Sequence, residues 1–459
     1  MFARAFKALK RAGAVALAGA LTQPLVWNLE IPQDLWMGQG VSLTNLSKPD
    51  AKNTKVYVVL GGGPAAYMCI QGLRASGFTG KILLVSEENH LPYDKGSVGV
   101  SFEDLKLGED WFYRENGVEL VLGTQIDSVS QKEKTLKTKD GKVYNYDKLC
   151  VAADSQTKIP THFANAYKNF KNIAAVKTAE DQEKLLNTLQ SAERVLVVGT
   201  SIKAFEVAAG ISKKWPEKQV LMFDSEDEPL HKEVGRDIAK SVLEEVRSHG
   251  VRTIFGAKFG EINAQEEKVT SVKIMHKNEF RGDLEETLPV DAVVLANGEE
   301  CRVHYLPPSL ITEEGEVPVD THFRTIDSNI YAVGECASYF NIFSESRICQ
   351  RDSTLSQLQA LHAAQNMTGE SSRFLSPPVV TTNLGLQLVG AWQDYDWYYT
   401  FSEGSSKVTF YYKNSRCVGF GVFNKNAVLH KLRELLDNGE VPSPSQLTKL
   451  KLSQVLKEE

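Results

Sequence analysis

The sequence predicts an α/β protein with two parallel-sheet units and a small C-terminal α+β domain. Residues 55–87 and 194–224 share one order of buried strand, glycine turn, helix and second strand. Continuous apolar runs such as Val56–Leu60 are typical of strands buried on both faces of a parallel sheet. The strand-rich tail after Ser376-Pro377-Pro378 predicts the separate C-terminal domain, because paired prolines interrupt regular structure.

The composition is that of an ordinary globular chain. Its 459 residues, 42% hydrophobic and 24% charged, suffice for two or three domains. The formal net charge of −6 gives no general attraction to nucleic acid, which we exclude as a partner. Six scattered cysteines without a C-x-x-C pair predict neither a disulfide framework nor a metal site. The same scatter argues against a dithiol redox centre, which needs two sulfurs close together.

The N-terminus differs from the rest of the chain. Residues 1–29 carry four basic side chains and no acid, which predicts a mitochondrial targeting segment. A disordered leader and a membrane anchor remain alternatives. The apolar stretch 14–21 is short for a membrane span, and Pro24 interrupts its continuation. Residues 30–53 are polar and turn-rich, and we interpret them as a linker.

The first repeat carries a G-x-G-x-x-[GA] turn after its strand. Gly61 permits the tight turn, and Gly63 lets the backbone approach a pyrophosphate at the helix N-terminus. Glu87 follows the next strand, where a carboxylate binds an adenosine ribose. This order predicts a Rossmann unit that holds FAD. Its predicted contacts are Gly61, Gly63, Pro64, Ala65, Ala66 and Glu87.

The second repeat has a degraded glycine turn. Ser201 replaces the middle glycine, so its side chain crowds the pyrophosphate approach. Asp224 ends the next strand in the ribose position, and the acidic run 225–228 favours NADH over NADPH. A retained Rossmann fold that binds nothing is the alternative. The predicted NAD contacts here are Gly199, Ser201, Ala204 and Asp224.

The remaining elements follow from apolar patterning. We expect short strands at 118–130 and 135–146 with a turn at Lys139-Asp140-Gly141, which predicts a hairpin. Further strands are expected at 270–276, 292–296, 407–412 and 418–422, and helices at 243–250 and 427–436. The predicted domains are FAD-binding at 54–170 and 286–372, NAD-binding at 171–285, and C-terminal α+β at 373–459.

Five segments in this order resemble the pyridine nucleotide–disulfide reductase fold, and most closely the apoptosis-inducing-factor-type flavoproteins. They are 60–66, 90–95, 146–150, 199–206, and 324–327 leading into 330–335. The tail around Gly390, 407–412 and 418–422 is also similar to that family's C-terminal domain. The resemblance covers about residues 54–445.

The resemblance implies further site residues. Glu335 would hydrogen-bond the ribityl–pyrophosphate region of FAD, and Lys95, in place of the family's usual arginine, would lie beside the flavin. Glu206 matches a glutamate of the nicotinamide domain. The predicted set is completed by Ile126 and Gly334 for FAD and by Gly298 for NAD.

Three departures from the family pattern bear on activity. A Ser-Lys pair near the flavin is replaced here by Gly99 and Val100, and an Ala-Thr-Gly segment by Ala152-Ala153-Asp154. An aromatic Phe-Trp-Thr stretch is replaced by Val379-Val380-Thr381. Each change removes a group expected beside the isoalloxazine, which FAD binding can survive more readily than hydride transfer.

The sequence is therefore consistent with two functions. The first is a mitochondrial flavoprotein that transfers a hydride from NADH to FAD and on to an unknown electron acceptor, such as a quinone, oxygen or a protein. The second is a catalytically weak or inactive flavoprotein that serves as a structural or assembly subunit. Its partner would be a mitochondrial membrane complex or a second copy of the chain.

Overall fold

The computed structural model describes residues 43, 46–95, 105–276, 283–375 and 377–457. The predicted targeting segment and the Gly99-Val100 departure lie outside this part of the chain. The chain divides into two compact units, one from residues up to 156 with 300–376, the other from 157–299 with 377 onward. The predicted domain limits stay predictions.

The first unit is built on a parallel five-stranded sheet. Its spatial order is Ile330–Ala332, Lys148–Val151, Val56–Leu60, Lys81–Val85 and Val118–Val121. The helix Pro64–Ala75 begins with a proline at its first position, where the missing N–H costs no helical bond. It packs against the helix Ser353–Thr368.

Smaller elements complete this unit. They are the antiparallel strands Ile126–Ser130, Thr135–Thr138 and Val143–Asn145; the strands Val317–Val319, Ala337–Asn341 and Ser346–Ile348; the helix Asp110–Glu115; and the 3₁₀ turns Pro308–Leu310 and Gly334–Cys336. The predicted strand 118–130 is wrong as a single element. Val121 and Ile126 lie in different sheets, because the chain turns between them at Gly123, whose φ is +63°. Ser155–Thr157 pairs with Glu299–Cys301.

The second unit contains the other parallel sheet. Its order is Arg252–Phe255, Gln219–Asp224, Arg194–Val198, Ala292–Leu295 and Ile173–Ala174. Its helices are Ala164–Asn169, Ala179–Ser191, Ile202–Lys214, His231–Val234 and Arg236–Ser248, with a 3₁₀ turn at Thr161–Phe163. An antiparallel sheet of Lys258–Gln265, Lys268–His276 and Leu284–Pro289 joins the same core. The helix expected at 243–250 begins earlier, because its buried face already starts at Ile238.

The C-terminal segment belongs to the second unit. Its antiparallel sheet has the order Val379–Thr381, Leu386–Gly390, Arg416–Phe423, Ser406–Lys413 and Trp397–Glu403. The 3₁₀ turn Asn426–Val428 and the helices Leu429–Asp437, Pro444–Leu447 and Leu452–Val455 follow. Tyr411 donates to the carbonyl of Val234 at 2.8 Å, which ties the sheet to this unit. Among the described residues, no helix has the length and apolar character needed to cross a bilayer.

Candidate cofactor-binding sites

The first glycine loop has a backbone that demands small residues. Gly61 has a φ of +142°, and a methyl group in place of its hydrogen would lie 2.8 Å from the carbonyl carbon of Ala152. The helix that follows begins at Pro64 without a side-chain cap and without an acid in its first turn. Its N–H groups and partial positive charge therefore face the loop unopposed by a capping side chain, as an anion site requires.

Asp154 lies at the point of closest approach to this loop. A methyl group at Gly63 would lie 2.8 Å from Cγ of Asp154. The carboxylate of Asp154 is 2.9 Å from Nζ of Lys95, which is buried and also paired with Glu88. Burial raises the pKa of Asp154, with Lys95 opposing the rise and Glu335 adding to it. The chain thus places its own partly buried carboxylate where the loop would admit a phosphate.

Glu335 is anchored beside this cluster. The backbone N–H and the hydroxyl of Ser155 donate to its Oε2 at 2.9 and 2.8 Å. Gly334 has a φ of +73°, and a methyl group there would lie 3.1 Å from Cβ of Ala65. This strand end therefore lies against the first turn of the nucleotide helix. The buried hydroxyl of Ser356, beside Gly334, has no hydrogen-bond partner in the described part of the chain.

Glu87 stands after its strand, as expected, but it is already paired. Its Oε2 lies 3.0 Å from Nη2 of Arg302. No sequence pattern pointed to Arg302, because its contact with Glu87 joins positions far apart in the chain. Ala66 and Ile126 are buried, at 0% and 3% exposure, so any contact they make with a ligand involves their backbone or packing.

These features fit the adenosine–pyrophosphate half of FAD. The loop admits close backbone approach, the helix N-terminus is uncapped by a side chain, and the hydroxyl of Ser356 is an unsatisfied polar group. The carboxylate of Asp154 opposes the fit, because a pyrophosphate brings negative charge to the same place.

The helix that follows the second glycine loop is capped by a side chain of that loop. Gly199 has a φ of +129°, and a methyl group there would lie 2.8 Å from the carbonyl carbon of Ala296. The hydroxyl of Ser201 accepts from the N–H of Ala204 at 3.2 Å and donates to the carbonyl of Ala296 at 3.1 Å. Ser201 is thus the N-cap of helix Ile202–Lys214, and it satisfies an amide that a phosphate would otherwise use.

The other residues predicted to contact NAD lie in the same unit. Asp224 ends its strand, and its Oδ1 accepts from the N–H of Glu226 at 3.0 Å. The carbonyl of Gly298 accepts from the N–H of Lys158 at 3.0 Å, and the space at its α-carbon is open. Glu206 accepts from the N–H of Asn383 at 3.0 Å, a contact with the C-terminal segment that the sequence did not predict.

The model of the pyridine nucleotide-disulphide oxidoreductases matches residues 55–368, which include both glycine loops and Glu335. The chain belongs to this family. Membership implies FAD and NAD(H) as the cofactors, and it confirms the predicted resemblance and the α/β fold with two Rossmann-like units.

Curated relatives agree with this assignment. Apoptosis-inducing factor 3 of Mus musculus is 25% identical over 403 residues, and the match covers 85% of this chain and 64% of that protein. The chain therefore spans less than two thirds of that relative. Rubredoxin-NAD(+) reductase of Pseudomonas putida is 27% identical over 354 residues, with 74% of this chain and 87% of the relative covered.

Solved structures show the same fold. A covalent putidaredoxin reductase–putidaredoxin complex matches with a TM-score of 0.78 at 22% identity, over 88% of this chain and 98% of that one. A ferredoxin reductase of the CYP199A2 system from Rhodopseudomonas palustris matches with a TM-score of 0.76 at 22% identity, over 88% of this chain and 99% of that one.

Proposed function

We propose that this chain is an FAD-dependent oxidoreductase that oxidises NADH and passes the electrons to a small redox protein. The observation that carries the proposal is the uncapped helix N-terminus behind Gly61 and Gly63 in a member of this family. The acceptor class is suggested by relatives named as rubredoxin and ferredoxin reductases. Bound FAD would supply the hydride and electron chemistry, which needs no protein nucleophile.

The chain's own residues would bind and orient the two nucleotides. Gly61 and Gly63 would admit the FAD pyrophosphate. Glu87 would bind the ribose while it shares its carboxylate with Arg302. In the second unit, Asp224 would bind the ribose of NADH. The acidic run 225–228 beside it would repel the 2′-phosphate of NADPH.

An anaerobic titration with NADH, followed by flavin absorbance, tests this function. We expect the purified full chain to be yellow, or to become so with added FAD, and to bleach on addition of NADH. The Gly63→Val variant is the control, because a bulky side chain fills the pyrophosphate space. A chain that binds no FAD, or whose bound FAD is indifferent to NADH, would contradict the proposal.

The side chains found at the two glycine loops favour a second function. The side chains of Asp154 and Ser201 take up positions at the two loops where the phosphates would bind. A catalytically weak flavoprotein that serves as a structural or assembly subunit of a mitochondrial complex would retain such a fold without needing fast reduction. A yellow chain that NADH does not bleach, and that migrates within a large complex on native gels, would support this function.

We further propose a mitochondrial location directed by residues 1–29. The support is the basic, acid-free composition of that segment. Fusion of these residues to a fluorescent reporter tests the address, and a diffuse cytosolic signal would exclude it.

A further inference from the structure

The fold brings together two cysteines that the sequence keeps far apart. The sulfur atoms of Cys301 and Cys349 each lie 3.3 Å from the carbonyl oxygen of Glu335, within hydrogen-bond distance. They are therefore at most twice that distance apart, and the two thiols also hydrogen-bond to each other. The scattered spacing argued against two sulfurs close together, and for Cys301 and Cys349 that expectation was wrong, because spacing along the chain does not report distances between strands.

The surroundings of the pair favour a thiolate at Cys301. Nη2 of Arg351 lies 3.6 Å from Sγ of Cys301. The hydrogen bond from Cys349 and the charge of Arg351 lower the pKa of Cys301 to about 7, against the effect of burial. The same hydrogen bond raises the pKa of Cys349, since the proton stays on that sulfur. Both side chains are partly exposed, so a small reagent can reach them.

We propose that Cys301 and Cys349 form a redox-active dithiol that closes to a disulfide by exchange with low-molecular-weight disulfides. The thiolate of Cys301 attacks one sulfur of the small disulfide, which forms a mixed disulfide and releases one thiolate. Cys349, after losing its proton, attacks the sulfur of Cys301 and releases the second thiolate. Two protein thiols are oxidised, one small disulfide is reduced to two thiols, and their protons come from the protein thiols.

Closure of the bond would change the segment that contains Glu335. A disulfide carries no thiol proton, so after closure neither sulfur can donate a hydrogen bond to this carbonyl oxygen. The carboxylate of the same residue is held by Ser155 beside the first glycine loop. The redox state of the pair would thereby affect a segment that we assign to FAD binding. The exchange chemistry itself does not depend on bound FAD.

The chain supplies a matched control pair. Cys69 and Cys150 also hydrogen-bond to each other, but both are 0% exposed. Burial and this contact raise the pKa of Cys150 well above its ordinary range. Because a buried thiol with a raised pKa is a poor nucleophile, this pair should stay reduced where Cys301 and Cys349 oxidise.

The test equilibrates the full chain with reduced and oxidised glutathione over a range of ratios, followed by acid quenching, alkylation, digestion and mass spectrometry. We expect a peptide pair joined through Cys301 and Cys349 whose fraction rises with the oxidised share, while Cys69 and Cys150 stay unjoined. Absence of the joined pair at the most oxidising ratio, or equal oxidation of the control pair, would overturn the proposal.

Single variants test the order of the two sulfurs. Cys349→Ser should accumulate a glutathione adduct at Cys301, because the resolving thiol is gone. Cys301→Ser should form the adduct at Cys349 at least tenfold more slowly. In the unaltered chain, the alkylation rate of Cys301 should rise with a midpoint at about pH 7. An adduct that forms faster at Cys349, or an alkylation midpoint for Cys301 in the ordinary thiol range, would refute the assigned roles.

Discussion

Replacing Asp154 should strengthen FAD binding. Its carboxylate lies against Gly63, where the pyrophosphate of a dinucleotide approaches the loop. Asp154→Gly removes both the bulk and the charge, whereas Asp154→Asn removes the charge alone. Asp140→Asn, in the exposed turn of the hairpin formed by Thr135–Thr138 and Val143–Asn145, is the matched control for the same chemical change.

The expected size of the change in FAD affinity follows from the charges involved. Two unit charges about 4 Å apart repel by roughly 4 kcal/mol at an effective dielectric constant of about 20. Lys95, 2.9 Å from the Asp154 carboxylate, cancels much of this repulsion. A remainder of about 1.4 kcal/mol suffices for a tenfold change in affinity. We therefore expect FAD to bind at least about tenfold more tightly to Asp154→Gly, with a smaller gain for Asp154→Asn.

The same carboxylate should make FAD affinity depend on pH. Burial raises the pKa of Asp154, so it takes up a proton at a higher pH than an exposed aspartate. Protonation removes the charge that repels the pyrophosphate, and affinity in the unaltered chain should therefore increase as the pH falls. Asp154→Gly should lack this component.

Quenching of flavin fluorescence gives the dissociation constants. Equal constants in the unaltered chain and Asp154→Gly, or a gain as large in Asp140→Asn, would refute the role of Asp154. Failure of every variant to bind FAD would instead contradict the proposed function.

Four further predictions concern the loops and the core. Gly63→Val should purify without flavin, as judged by the ratio of absorbance at visible and ultraviolet wavelengths, and full flavin content would contradict the assigned pyrophosphate site. Ser201→Gly should bind NADH more tightly by calorimetry, and Ser201→Ala should gain less, since alanine frees the amide of Ala204 but keeps the Cβ; equal constants in all three chains would exclude Ser201 from the pyrophosphate approach. Asp224→Ala should lose the preference for NADH over NADPH, and a retained preference would exclude its ribose role. Burial lowers the pKa of His362 to about 4, below its ordinary value of about 6.5. Its contribution to stability is therefore complete above about pH 6.5 and is lost as the pH falls toward about 4. His362→Gln keeps a donor for the carbonyl of Ser372 and should lose less unfolding free energy in urea between about pH 7 and about pH 5, by about 2 kcal/mol; equal losses would contradict this.

Local pattern predicted the nucleotide units well. Val56–Leu60 and Lys81–Val85 have the predicted bounds, because buried parallel strands are continuous apolar runs with turn residues at both ends. The glycine loops were equally visible, since close backbone approach requires particular residues at particular spacings. The single strand expected at 118–130 failed, because apolar pattern alone does not show where a chain leaves one sheet for another.

The contacts of the site were less accessible to sequence reasoning. Asp154 was recognised as a departure from the family, but its approach to Gly63 and its pairing with Lys95 join separate segments. The pairing of Arg302 with Glu87 and the meeting of Cys301 with Cys349 are long-range in the same way. Such contacts depend on sheet order and register, which a single sequence does not display.

The first unit is interrupted in sequence, and this affects how the chain can fold during synthesis. Lys148–Val151 pairs with Val56–Leu60 on one side, but its other neighbour, Ile330–Ala332, is translated much later. Ser155 and Glu335, which meet in the finished unit, are 180 residues apart, roughly 10–40 s of synthesis at about 5–20 residues per second. For that time a nascent chain carries an open strand edge, which invites pairing with other chains. Truncations that end before residue 330 should therefore depend on chaperones and aggregate, whereas those that pass the helix Ser353–Thr368 can close the sheet.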